Sequence, residues 1–107
     1  MTPTLVPGDC LYVDRGAYRH HPPARGDLVV TRDPELPSRL LVKRVAFLPG
    51  EPVPAEEGTT VPVGTVYLLG DETAASRDSR RFGPVPIRLL VGRVYRCYNP
   101  PDRRRDF

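Results

Sequence analysis

A single lysine, Lys43, stands among fifteen arginines in a chain of 107 residues. Of the two cationic side chains only lysine can serve as a base: burial disfavours its ammonium and lowers its pKa, whereas a guanidinium stays protonated almost anywhere. A second concentration of reactive groups lies at Gly70 to Arg80, GDETAASRDSR, the most polar and small-residue-rich passage in the chain. It offers a hydroxyl at Ser76 that could orient a neutral amine. Asp78 and Arg80 could form a carboxylate–guanidinium clamp that holds the loop rigid. A lysine base needs such an orienter. Each feature also has a plain structural reading. A lysine can snorkel to water along its own stem, and a surface Asp–Arg pair is worth under about 1 kcal/mol.

These groups must be carried by strands. Fourteen prolines and nine glycines leave little room for a helix of ordinary length and favour short strands joined by turns in one domain. Arg39 to Gly50, RLLVKRVAFLPG, reads as a strand running into a Pro-Gly turn. Side chains alternate on a strand, so Lys43 is expected to share the more apolar face with Leu41, Val45 and Phe47, opposite Leu40, Val42, Arg44 and Ala46. CLYVD after Gly8-Asp9, LVVT after Arg25-Gly26-Asp27, TVYLL at 65–69 and LLVGRVYRCY at 89–98 read as further strands, with Gly92 a candidate bulge. Glu51 to Gly64 has room for a short edge strand, Phe82 to Pro86 reads as a turn, and Pro100 to Phe107 as a frayed basic tail. The prediction is an all-β fold: small, strongly twisted antiparallel sheets, two in number, with the Lys43 strand central and the 70–80 loop beside its middle.

Composition narrows the function. The net charge of +3 is mild and the 13 acids are interspersed with the arginines, so RDSRR and the RRRDF tail make a weak case for nucleic acid. His20 and His21 have no Cys, Asp or Glu at ligand spacing, and neither a metal nor a cofactor is expected. Cys10 and Cys97 could be a disulfide or two buried thiols. There is no run of 18 apolar residues and no leader before Met1, so the chain as given reads as soluble.

Four stretches, MTPTLVPGD, RGDLVV, LVKRVAFLPGE and LGDETAASRDSRRFGPVP, resemble in order and spacing the successive sequence boxes of bacterial type I signal peptidases, the Ser/Lys endopeptidases that remove leader peptides. The resemblance runs from Met1 to about Gly92 and implies a catalytic domain over residues 1–99, followed by the basic tail at 100–107. It implies that Lys43 is the general base, that Ser76 orients it, that Asp78 and Arg80 form the supporting ion pair, and that Asp71 opens the loop. An extended peptide substrate would pair with the Lys43 strand at Leu41 and Val42. Met1, Leu5 and Leu41 would line the pocket for the residue before the cut, and Leu11, Val30 and Val42 the next pocket but one, both taking small side chains. The family's nucleophilic serine directly precedes the methionine of the first box, where this chain begins. None of Ser38, Ser76 and Ser79 takes its place. The chain as written is therefore expected to be inactive, a truncated form being favoured over an inactive relative. The full-length protein is expected to be membrane-anchored through an upstream segment, with its catalytic domain on the extracytoplasmic side. The alternative is a peptide-binding module that has lost hydrolysis.

Overall fold

In chain order the strands are β1 (Cys10–Asp14), β2 (Leu28–Arg32), β3 (Leu40–Phe47), β4 (Thr65–Leu69), β5 (Val85–Pro86), β6 (Leu90–Asn99) and β7 (Arg105–Asp106). The computed structural model describes residues 10–19, 21–54, 57–70, 78–99 and 105–106. All strand pairs are antiparallel, and they form one hydrogen-bonded path, β1-β6-β2-β3-β4-β5, with β7 also pairing with β6. β3 is central, as expected. The two sheets anticipated from the sequence are one continuous path, because β6, ten residues long, reaches past β2 to hold β1 and β7 as well.

The fold differs from the sequence reading in four further places. Ser79–Phe82 forms a one-turn helix, α1, inside what reads as a polar loop and turn. Its start is set by Asp78, whose carboxylate accepts from the Arg80 amide as an N-cap, and it ends at Gly83, whose φ of 79° suits only glycine. The C-terminal segment is not wholly frayed: Arg105 and Asp106 pair with Cys97 and Arg96 of β6. The edge strand allowed for in 51–64 is reduced to one bridge, Pro52 to Thr60.

A fourth difference concerns the faces of β3. Lys43 and Val45 do share the buried face, but between Val45 and Phe47 the register with β4 shifts, so that Val45 faces Leu68 and Phe47 faces Tyr67. Ala46 is the extra residue of this bulge, and it turns Phe47 to the other side of the sheet, where its ring lies 5.7 Å from that of Tyr67. The core divides accordingly. Val29, Val45, Val66, Leu68 and Val85 make one cluster on the Lys43 face; Leu28, Val30 and Val94 make a second, and Val53, Val61 and Tyr67 a third that receives Phe47.

A bulge also occurs beside Gly92, where Val30 faces Gly92 and Thr31 faces Leu90, leaving Val91 as the extra residue. Gly92 itself answers a different need. A β-carbon there would come within 2.9 Å of the Val13 side chain and collide with the Asp14 carbonyl, so only glycine lets β1 lie this close to β6.

Candidate active site

Lys43 lies directly across from Val29 in the β2–β3 register and retains 7% of its exposure. Burial follows from its strand position: Val29 and Val45, its neighbours across and along that face, are themselves sealed. β3 is flanked by β2 from Leu40 to Arg44 but by β4 only from Arg44 onwards. Among the described residues, no strand pairs with Leu40 to Lys43 on the β4 side. Lys43 therefore lies one residue before the β3–β4 pairing begins.

A second set of polar groups lies at the entry to α1. Asp78 is fully buried and its two oxygens accept four bonds, from the amides of Gly70 (2.9 Å) and Arg80 (3.0 Å) and from Nε (3.0 Å) and Nη2 of Arg80. Burial by itself pushes this carboxyl up; the guanidinium and the two amides outweigh it and hold Asp78 below the usual carboxylate range. Arg80 is correspondingly raised by the bond it donates to Asp78. Its side chain also borders an apolar cavity of about 150 Å³, with Phe47, Val53, Pro54, Tyr67 and Leu69 as the other walls. Asp78 and Arg80 thus do form a clamp, and the clamp closes on Gly70 at the end of β4.

Ser79, assigned no role from sequence, is the residue that reasoning missed. Ser79 is 1% exposed, and its hydroxyl accepts from the Leu68 amide at 2.9 Å. Nothing local in the sequence signals this bond, since its partner lies eleven residues away.

Of the proposed pocket residues, Val30 and Val42 face each other across β2 and β3 and pack in one cluster. Leu11 lies on β1 with its backbone paired to Cys97. Leu41 falls on the Lys43 face of β3, opposite Thr31 of β2, and so on the other side from Val42. Met1, Leu5, Asp71 and Ser76 lie outside the described residues. Among the described residues no group of three His, Cys, Asp or Glu is placed to hold a metal ion, and no helix is long and apolar enough to cross a membrane.

The arrangement of strands has a counterpart among solved structures. A signal peptidase I from Enterococcus faecalis superposes with a TM-score of 0.56 over 66% of this chain and 95% of that one; at 23% identity this is a likeness of fold. The sequence model described as "Signal peptidase, peptidase S26" matches residues 1–59 and 52–98. The chain belongs to that family. It is 46% identical over 104 residues, 88% of its length, to the mitochondrial ATP-independent inner membrane protease subunit 1b of Arabidopsis thaliana. It is 32% identical over 89% of its length to the human mitochondrial inner membrane protease subunit 1, and 30% identical over 96% to a probable signal peptidase I-1 of Synechocystis. It spans 62% of the Arabidopsis relative, 61% of the human one and 68% of the Synechocystis one.

Proposed function

We propose that this domain is the scaffold of a serine endopeptidase that removes leader peptides after small residues, with Lys43 as general base. The observation that carries the reading is the position of Lys43, buried on β3 one residue before its pairing with β4 begins. An extended peptide that adds itself to Leu40–Lys43 would be held by main-chain hydrogen bonds. Its scissile carbonyl would then lie near the amine. Removal from water favours the neutral amine, the form able to take a proton from an attacking hydroxyl.

In this proposal the hydroxyl belongs to a serine directly before Met1, by likeness to the family. Serine attack would form an acyl-enzyme and expel the amine of the mature chain, and water would then release the leader. Ser76 would orient Lys43, Asp71 would open the loop, and Asp78 with Arg80 would fix its far end. Met1, Leu5 and Leu41 would shape one substrate pocket and Leu11, Val30 and Val42 the other. The pairing of Val30 with Val42 supports the second of these. Membrane anchoring and an extracytoplasmic catalytic face follow from the same likeness.

The test compares residues 1–107 with a chain extended by upstream residues that include a serine before Met1. Both are incubated with an extended peptide carrying alanine at the two pocket positions, and cleavage is followed by mass spectrometry. The extended chain is expected to cut and the other not. Cutting by residues 1–107 that survives Lys43→Ala would refute the mechanism. Binding without cutting by the extended chain, in detergent or lipid, would make the domain a peptide-binding module.

A further inference from the structure

We propose that Ser79 is a positioning residue for Lys43, acting through β4; the inference rests on the endopeptidase reading above. Along an antiparallel strand, successive amides on one side are two residues apart, and each needs an acceptor. β5 flanks β4 only at Thr65 and Val66. Beyond that pair, the Leu68 and Gly70 amides point to a side where no strand is present among the described residues. Side-chain oxygens take the strand's place there: Ser79 Oγ accepts from Leu68 and Asp78 Oδ2 from Gly70, both at 2.9 Å and both buried.

Two adjacent residues of the α1 entry therefore complete the ladder of β4 as two successive rungs. The Ser79 rung is the one that leads to the lysine. Leu68 faces Val45 across the β3–β4 pair, and Lys43 is the next residue of β3 on the same face as Val45. Leu68, Val45 and Val29, the last of which stands opposite Lys43, belong to one buried cluster. The helix entry that carries Asp78 is thereby tied at a fixed height to the strand pair that carries Lys43. Losing the Ser79 hydroxyl leaves the Leu68 amide buried without its acceptor and lets α1 shift along β4. Threonine keeps the oxygen and alanine does not.

Because Lys43 is the chain's one lysine, ¹³C-lysine labelling gives a single side-chain signal that reports on it directly. In residues 1–107, Ser79→Ala is expected to displace the Lys43 Cε resonance. It should also speed amide exchange at Leu68 and Gly70 by about tenfold or more, with Val94 protection unchanged as the control for global stability. Ser79→Thr should restore both. In the serine-extended chain, Ser79→Ala should lower kcat by about tenfold with KM held, again rescued by threonine. Should Ser79→Ala fail to fold, Ser79→Cys, a weaker acceptor of similar size, reads the same contrast. Faster exchange at Leu68 with an unmoved Lys43 resonance would make Ser79 merely structural and overturn the proposal. An extended wild-type chain that cuts nothing would instead overturn the endopeptidase reading, and the Lys43 resonance would still decide the role of Ser79.

Discussion

Val29 faces Lys43 across the β2–β3 pair, so the chain's one lysine shares a sheet face with a side chain that has no exposure at all. Removing this side chain from water disfavours its charged form, and replacing it with an apolar group of similar length should be tolerated. Lys43→Met is expected to leave the urea midpoint unchanged or raise it. In the serine-extended chain it should lower kcat by about a hundredfold or more. A midpoint that falls sharply would mean that the lysine's role is structural.

Asp78→Ala should destabilise by about 2–4 kcal/mol, since it strips the exposed Arg80 guanidinium and the amides of Gly70 and Arg80 of their buried acceptor. Equilibrium urea unfolding at pH 7 measures the loss.

The depressed Asp78 carboxyl also gives a pH signature. A folded pKa below the unfolded one means that the unfolded chain binds the proton more readily. Its contribution is therefore present above the unfolded value of about 3.9 and is lost as pH falls through the folded value. Between pH 5 and pH 2 the wild type should lose stability more steeply than Asp78→Asn, as followed by urea midpoints across that range.

Tyr18 supplies the opposite case. Burial raises its phenol, and the hydrogen bond it donates to Asp27 at 2.8 Å raises it further, as does the charge of that carboxylate. A raised folded pKa stabilises below the unfolded value of about 10 and is lost as pH climbs through the folded one. Tyr18→Phe should cost about 1 kcal/mol at pH 7 and flatten the decline in stability above pH 10. Urea midpoints at pH 7, 9 and 11 distinguish this from a simple loss of packing.

Gly92→Ala should destabilise by about 1–3 kcal/mol, because the added methyl meets the backbone of β1, which cannot move aside without giving up its pairing with β6. Amide exchange should rise first along Cys10–Asp14.

Short strands with β-branched and aromatic residues between turn signals were readable from the chain alone: CLYVD and TVYLL coincide with β1 and β4. So was the burial of Lys43, from its apolar neighbours at alternate positions. What escaped is what depends on partners distant in sequence. The reversal at Phe47 comes from a register shift against β4, and no residue type at Ala46 announces it. Four residues of α1 are too few to show a helical period; the signal present was the Asp78 cap, which reads equally well as half of an ion pair. The Asp78–Arg80 pair was visible because both partners lie two residues apart, and Ser79 was not because the Leu68 amide it serves belongs to another element.

The bulge at Ala46 gives β3 two separate obligations. Upstream it supplies the lysine face; downstream it delivers Phe47 to the small cluster of Val53, Val61 and Tyr67, which is closed by the Pro52–Thr60 bridge. The two share a strand but not a face, and the 48–64 excursion reaches the site's surroundings at both its ends: Leu48 packs on the Val29–Val45 cluster, and Val53 and Pro54 border the cavity beside Arg80. The exposed turn at Gly58, with its φ of 80°, faces neither of them, so a peptide tag inserted there should report on the fold at little cost to the chemistry.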